Sequence, residues 1–181
     1  NLPNKITMFR VVLIPFFVFF MLSEHIAYHN YIAVAIFIVA SLTDMLDGKI
    51  ARKYNLVSNF GKFMDPLADK LLVSSAMICF VALPSNPMPA WVVIVIIARE
   101  FIISGFRLVA SDAGVVIAAS YWGKIKTVTQ MIMSILLIVN FDGYIINIVE
   151  YVFIYAALVL TVISLVDYMV KNWSVMRDGN M

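Results

Sequence analysis

Charged side chains are scarce in this sequence of 181 residues: Asp, Glu, Lys and Arg together make up 13% of it, and hydrophobic residues 63%. That balance is foreign to a water-soluble domain and predicts a polytopic membrane protein. The formal net charge of +2 is too small to indicate a nucleic-acid-binding protein. Cysteine is almost absent, since Cys79 stands alone in an apolar run. An internal disulfide is therefore excluded, and Cys79 is predicted to be a buried, inert thiol.

Histidine is nearly as rare, and it is missing from the stretch where acidic residues concentrate. Four Asp residues fall between positions 44 and 69, with no His or Cys among them. Zinc sites are built largely from Cys and His, so this stretch is not typical of a zinc site. Oxygen-only ligands instead favour hard cations such as Mg²⁺ or Mn²⁺. His25 and His29 lie outside the stretch and are predicted to be plain loop residues.

The four Asp residues repeat at helical spacing. Asp44 and Asp47 are three residues apart, and Asp65 and Asp69 are four apart, so each pair lies on one face of a helix. Two helices joined by a short turn can then point all four carboxylates at one another. Carboxylates in or near a membrane are costly unless they are paired, bound to metal or facing water. The cluster therefore predicts a site for divalent cations.

Apolar runs divide the chain into six predicted transmembrane helices, at about 6–22, 31–54, 61–83, 90–110, 121–139 and 145–170. With the amino terminus inside, the outer connections are 23–30, 83–89 and 140–146, and none of them contains Lys or Arg. The positive-inside rule then places both termini and the Asp stretch on the cytoplasmic side. The predicted fold is all-α: a single membrane domain over residues 1–181, built as a six-helix bundle.

The Asp stretch resembles the signature of the CDP-alcohol phosphatidyltransferase family. Every position of that signature is filled here, in the pattern Asp44-x2-Asp47-Gly48-x2-Ala51-Arg52-x8-Gly61-x3-Asp65-x3-Asp69. A polar hairpin that merely caps two membrane helices would explain nearby Lys and Arg, but not four Asp and two Gly at helical spacing. Near the amino terminus, Asn4 and Thr7 are similar to the family's Pro-Asn-x2-Thr pattern, although helix capping would also explain them.

The resemblance implies an activity and a set of roles. The substrate would be a CDP-activated lipid, usually CDP-diacylglycerol, from which an alcohol displaces CMP. Two divalent ions, Mg²⁺ or Mn²⁺, would be bound by Asp44, Asp47, Asp65 and Asp69, and Asp69 would also take the proton from the acceptor hydroxyl. The CDP-lipid would be bound by residues of the signature and of the amino-terminal pattern: Asn4, Thr7, Asp44, Gly48, Ala51, Arg52 and Gly61. A homodimer is implied by the family alone.

A second set of charges lies on the fourth and fifth predicted helices. Arg99, Arg107, Lys124 and Lys126 are the cations, and three of them, Arg107, Lys124 and Lys126, have too few carboxylates nearby to pair them. An ion pair with Glu100 plus interfacial anchoring would account for part of this set. Charges this deep in a span also indicate a polar pocket, and cations suit an anionic head group. We therefore expect Arg99, Arg107, Lys124 and Lys126 to bind the phosphate of the acceptor.

The residues around these cations resemble a bacterial branch of the family whose members make phosphatidylglycerophosphate, which implies sn-glycerol 3-phosphate as the acceptor. Two other functions stay open. A sister phosphatidyltransferase would use inositol phosphate, serine or phosphatidylglycerol, and inositol phosphate would use the same cations equally well. A divalent-cation transporter would use the Asp cluster as a transit site, but its polar residues should continue toward the outer face. The third predicted helix is apolar beyond Ser75 instead.

Overall fold

The structure is a computed structural model that describes residues 2–53, 59–112 and 114–177. Within these ranges, the side chains at 2, 3, 44–53, 59–63, 65, 66, 175 and 176 lie outside the description. The described residues are helical apart from their connections. The helices are α1 (Leu2–Leu22), α2 (His29–Lys53), α3 (Asn59–Ala82), α4 (Ala90–Asp112), α5 (Tyr121–Val139), α6 (Tyr144–Lys171) and the short α7 (Trp173–Arg177). A helix is found at each of the six predicted positions, and α7 is an addition that composition did not indicate.

Local sequence explains where several helices begin and end. Ser120 caps α5, because its Oγ accepts a hydrogen bond of 3.1 Å from the Gly123 N–H. After α5, Asn140 adopts a positive φ of 51°, a conformation that Asn tolerates and that often ends a helix. Gly143, with φ 156°, precedes the first residue of α6. The segment 83–89 between α3 and α4 holds three prolines, which cannot continue a helix ladder.

One compact unit consists of residues 1–86 and 135–141. Within it, α1 packs against both α2 and α3, and α2 packs against α3. Fully buried alanines such as Ala33 and Ala76 let the helix backbones approach closely, and Phe17 meets Phe37 with ring centroids 5.7 Å apart. The end of α5 joins this unit through Asn30, whose side-chain amide donates to the Val139 carbonyl at 3.3 Å.

The other compact unit consists of residues 87–134 and 142–181. Its α4 packs against α6, and Phe106 meets the buried ring of Tyr168 edge-on at 5.6 Å. The buried face of α6 mixes apolar and polar side chains: Glu150, Ile154, Ala157, Thr161, Ser164 and Tyr168. On α4 the buried face is apolar except for Arg99.

The outward faces of the helices are rich in apolar residues. Phe16, Ile94 and Val152 are all more than half exposed, which is expected of side chains in contact with lipid. Among the described residues, three helical segments are long and apolar enough to cross a membrane: Asn4–Leu22, Tyr121–Val139 and Tyr144–Lys171. These segments indicate a membrane protein. Crossing by all six helices, and the cytoplasmic position of the termini, stay predictions.

Candidate functional site

The four signature carboxylates belong to two helices that pack together. Asp44 and Asp47 lie in the last part of α2, and Asp65 and Asp69 lie in the first half of α3. The side chains at seven predicted site positions lie outside the described residues: Asp44, Asp47, Gly48, Ala51, Arg52, Gly61 and Asp65. Asp69 is described, and its side chain is exposed. The helix assignments agree with the spacing argument, whereas the predicted metal contacts stay predictions.

The amino-terminal pattern lies on α1 rather than on a connecting segment. Thr7 is completely buried, and Asn4 is half-buried one turn earlier. Because α1 packs against both α2 and α3, its first turns belong to the same unit as the signature helices. The structure thus brings the helices that carry both patterns into contact.

Arg10 is a residue that the sequence interpretation missed. It lies one turn after Thr7 on α1, and its side chain is completely buried. A buried guanidinium is stable only where acceptors or anions compensate for its lost hydration. Asn4, Thr7 and Arg10 are spaced three residues apart, so they share one side of α1. This spacing is the sequence signal that identifies Arg10.

Divalent cations would need several oxygen ligands at one place. Among the described side chains, no group of three or more His, Cys, Asp and Glu lies close enough to hold a metal ion. Three of the four predicted ligands, Asp44, Asp47 and Asp65, are not among the described side chains. The residue types nevertheless suit Mg²⁺ or Mn²⁺, since the stretch from Asp44 to Asp69 supplies four carboxylates and contains no Cys or His.

The second unit holds a buried cluster of charges. Arg99 Nη1 donates to Glu100 Oε1 at 3.1 Å, and the Lys126 ammonium donates to the same oxygen. The Arg99 and Lys126 side chains are only 10% and 3% exposed, so both cations are largely removed from water. One carboxylate therefore brings together two cations from α4 and α5. Tertiary packing thus gives Lys126 a carboxylate partner, Glu100, that lies 26 residues earlier in the chain.

A serine on α6 completes the environment of Arg99. Ser164 is fully buried, and its Oγ accepts a hydrogen bond of 3.1 Å from Arg99 Nε. No motif pointed to Ser164, because a serine in an apolar helix usually satisfies its own backbone. It does so here as well, donating to the Thr161 carbonyl at 3.0 Å.

The first turn of α5 lies close to the same guanidinium. A Cβ atom added at Gly123 would lie 3.4 Å from Arg99 Nη2 and 3.3 Å from Ser120 Oγ. Gly123 therefore leaves a space beside Arg99 and the Ser120 cap that a larger side chain would fill.

The other two predicted acceptor-binding cations lie apart from this cluster. Arg107 is exposed, and its guanidinium lies over the Tyr168 ring at 5.8 Å. Arg107 follows Arg99 by eight residues on α4, which corresponds to about 12 Å along the helix axis. Lys124 is exposed in the first turn of α5. The structure thus brings Arg99 and Lys126 together on one carboxylate, and it leaves Arg107 and Lys124 at the surface.

Further polar groups are buried in the second unit. Neither side-chain amide atom of Gln130 has a hydrogen-bond partner among the described atoms, and the same holds for Glu150 Oε1. Ser134 donates to the Gln130 carbonyl at 2.8 Å. Lys126, Gln130 and Ser134 follow one another at intervals of four residues, so they form a polar stripe on α5.

The first unit also contains a cavity of about 220 Å³, where the α1–α2 turn, the α3–α4 connection and the end of α5 meet. Its lining includes Glu24, His29, Asn30 and Asn86. A hydrogen bond of 3.1 Å joins His29 Nδ1 to the Phe20 carbonyl oxygen. This contact ties down the end of α1 and gives the histidine a structural role.

Comparison with known proteins adds an independent line of evidence. The model of the protein family described as CDP-alcohol phosphatidyltransferase matches residues 1–163 of the chain. The chain is 45% identical to a Bacillus subtilis protein named CDP-diacylglycerol–glycerol-3-phosphate 3-phosphatidyltransferase, over 99% of each chain. It is 38% identical to a Haemophilus influenzae protein of the same name, over 93% of this chain and 91% of the relative. It is also 38% identical to a Mycobacterium tuberculosis protein named probable phosphatidylglycerophosphate synthase, over 94% and 81%.

Proposed function

Because the chain belongs to the CDP-alcohol phosphatidyltransferase family, we propose that it transfers the phosphatidyl group of CDP-diacylglycerol to sn-glycerol 3-phosphate. The products are phosphatidylglycerophosphate and CMP. The observation that carries this proposal is the likeness to the Bacillus subtilis protein along nearly the whole of both chains, because that protein's name specifies this donor and this acceptor. The buried cation pair of Arg99 and Lys126 supports an acceptor that carries a phosphate.

In the proposed mechanism, Asp44, Asp47, Asp65 and Asp69 hold two divalent cations, Mg²⁺ or Mn²⁺. When bound, such ions neutralise a pyrophosphate and stabilise the attacking and leaving oxygens. The helices that carry the four carboxylates pack together, which supports one shared site for the diphosphate of the CDP-lipid. In this proposal the small residues Gly48, Ala51 and Gly61 would leave room for the nucleotide, and Arg52 would bind a phosphate.

The transfer itself is a direct displacement. The acceptor hydroxyl oxygen forms a bond to the phosphorus that carries the lipid, and the bond from that phosphorus to the CMP oxygen breaks. Asp69 accepts the hydroxyl proton, a role that suits a carboxylate with an exposed side chain. None of the specified positions of the signature is Ser, Cys or His, so the signature offers no nucleophile for a covalent enzyme intermediate.

The donor site extends to α1. Asn4 and Thr7 contact the nucleotide in this proposal, and the packing of α1 against α2 and α3 supports such a position. Arg10 adds a buried positive charge to the same unit, where it offsets part of the negative charge of the signature carboxylates.

The acceptor site uses the cations of the second unit. Arg99, Lys126 and Glu100 together retain one positive charge, and the surface cations Arg107 and Lys124 add two more. Glycerol 3-phosphate carries about two negative charges near neutral pH. Charge-assisted hydrogen bonds to its phosphate would distinguish it from neutral alcohols. Serine and phosphatidylglycerol would make less use of this set.

The proposal also includes a membrane arrangement. The chain crosses the cell membrane six times, both termini are cytoplasmic, and the active site opens to the cytoplasmic side. The absence of Lys and Arg from the connections at 23–30, 83–89 and 140–146 supports this orientation. A homodimer completes the proposal, as the resemblance to the family implies.

An acceptor panel tests the proposed function. The purified protein is given CDP-diacylglycerol and Mg²⁺ with glycerol 3-phosphate, inositol phosphate, serine, phosphatidylglycerol or glycerol, and CMP release is followed. Glycerol 3-phosphate should be the best acceptor. CMP release with another alcohol alone would overturn the acceptor but keep the phosphatidyltransferase chemistry, and no CMP release with any acceptor would overturn both.

A further inference from the structure

The Arg99 guanidinium is hydrogen-bonded by two side chains and lies close to the first turn of α5. Its Nε donates to Ser164 Oγ of α6 at 3.1 Å, and its Nη1 donates to Glu100 Oε1 of α4 at 3.1 Å. Its Nη2 faces the first turn of α5, 3.4 Å from the point where Gly123 would carry a Cβ. A guanidinium is planar and presents its donors in a fixed fork, so hydrogen bonds at two of its nitrogens define its orientation as well as its position.

Ser164 is held so that it accepts from Arg99. A serine hydroxyl has one proton and two lone pairs. The Ser164 proton is directed to the Thr161 carbonyl at 3.0 Å, which leaves the lone pairs for the Arg99 Nε–H. Ser164 and Thr161 are both completely buried, so water does not compete at this point.

Gly123 acts through the space it leaves. A Cβ at this position would lie 3.3 Å from Ser120 Oγ, which is tighter than an ordinary van der Waals contact, and 3.4 Å from Arg99 Nη2, which is at the short end of ordinary contact. An alanine at this position would therefore push either the guanidinium or the Ser120 cap. Gly123 also donates its N–H to that cap, so the α5 backbone is fixed where the arginine approaches it.

We infer that Ser164 and Gly123 are positioning residues, which set the plane of the Arg99 guanidinium for recognition of the acceptor phosphate. This inference rests on the proposed function. The physical reason is the geometry of the fork: an arginine that can rotate loses much of its advantage over lysine in binding a phosphate through two parallel hydrogen bonds. Because Glu100 is shared, a displaced Arg99 also changes the environment of Lys126.

The test compares matched substitutions at the two positions. Ser164→Ala removes the acceptor, whereas Ser164→Thr keeps the hydroxyl. Ser134→Ala is the control, because Ser134 is equally buried but its hydroxyl donates to its own helix at the Gln130 carbonyl. For Gly123→Ala the control is Gly105→Ala, since a Cβ at Gly105 meets no atom within 4 Å.

The readouts are KM for glycerol 3-phosphate, KM for CDP-diacylglycerol, kcat, Tm, and the slow use of glycerol as acceptor. Ser164→Ala and Gly123→Ala should each raise KM for glycerol 3-phosphate about three- to tenfold, the scale of one lost hydrogen bond. The KM for CDP-diacylglycerol and the rate with glycerol should stay unchanged, because neither involves the phosphate of the acceptor. Ser164→Thr should restore the native KM, and the two control variants should match the native protein.

The outcomes separate this inference from the function on which it rests. If Arg99→Ala raises KM for glycerol 3-phosphate but Ser164→Ala and Gly123→Ala behave like their controls, the positioning role is wrong and the proposed function stands. Equal losses with glycerol and glycerol 3-phosphate would indicate a general structural role and would also overturn the inference. If Arg99→Ala itself leaves glycerol 3-phosphate kinetics unchanged, the positioning role and the proposed acceptor site are both overturned.

Discussion

The two compact units of the chain differ in what they bury. The described core of the first unit is almost wholly apolar, and its buried polar side chains are Thr7 and Arg10, close together on α1. The second unit buries polar residues along much of its length: Arg99, Lys126, Gln130, Ser134, Glu150, Thr161 and Ser164. The acidic signature belongs to the first unit, and the buried cation pair belongs to the second.

This difference matches two different binding tasks. A cluster of carboxylates attracts cations, and through them the diphosphate of an activated donor. A cluster of buried cations attracts an anion directly, and it discriminates against neutral molecules because its charges are poorly hydrated. Substitutions in the first unit should therefore abolish transfer to every acceptor. Substitutions in the second should affect chiefly those acceptors that carry a phosphate.

The largest effect is expected from the metal ligands. Asp44→Asn, Asp47→Asn and Asp65→Asn should each abolish detectable CMP release with all acceptors, because each removes a charged ligand of the divalent ions. The native protein should lose activity in excess chelator and regain it with Mg²⁺ or Mn²⁺. Robust turnover in excess chelator would contradict the metal dependence. It would also overturn the proposed difference between a metal-binding first unit and an anion-binding second unit.

Cysteines introduced on the two sides of the membrane should differ completely in their reaction with an impermeant thiol reagent. In a Cys79→Ala background, Ser85→Cys and Asp142→Cys should react with an impermeant thiol reagent in intact cells, because both positions are exposed in connections assigned to the outside. Asn59→Cys should react only after the cells are opened. Reaction at position 59 in sealed cells would reverse the orientation.

A loss of at least about a hundredfold in kcat is expected for Asp69→Asn, the usual scale for removal of a general base. The amide keeps the size of the side chain and one ligand oxygen, so CDP-diacylglycerol should still bind in the presence of metal. The loss should be equal for glycerol and glycerol 3-phosphate, as it should be for any residue that acts on the reaction itself. A near-normal kcat in this variant would assign the proton to another group.

A smaller and more selective effect is expected from the buried cations. Lys126→Ala and Arg99→Ala should raise KM for glycerol 3-phosphate about tenfold to a hundredfold, since a charge-assisted hydrogen bond contributes about 1.5–3 kcal/mol. CDP-diacylglycerol binding should change little. Lys126→Met is the matched control for packing, because it keeps the stem of the side chain without the charge. If Lys126→Met is native-like, the charge of Lys126 has no part in acceptor binding.

The sequence was sufficient for the helices, because their ends leave local signals, whereas the chemistry of the Asp signature stays a prediction. Pro89 and Gly143 precede helices where the prediction placed them, and the Asp spacing depends only on helix geometry. The contacts of Arg99 were not predictable in the same way. Ser164 is 65 residues away from Arg99 along the chain and resembles any serine in an apolar helix. Only the packing of α4 against α6 makes it a partner.

The smallest effect on KM is expected from the exposed cations. Its dependence on salt distinguishes surface cations from buried cations within the second unit. Arg107→Ala and Lys124→Ala should raise KM for glycerol 3-phosphate only about two- to fivefold at low salt, because exposed charges contribute about 1 kcal/mol or less. That increase should fade as salt is added, since the screening length falls from about 30 Å at 0.01 M to about 3 Å at 1 M. The effect of Lys126→Ala should persist, because its side chain is only 3% exposed and is poorly screened by ions in solution. Measuring KM for the three variants at both salt concentrations decides the point. A salt-resistant tenfold increase for Arg107→Ala would place its guanidinium on the phosphate itself, and the acceptor site would then extend along α4 to the ring of Tyr168.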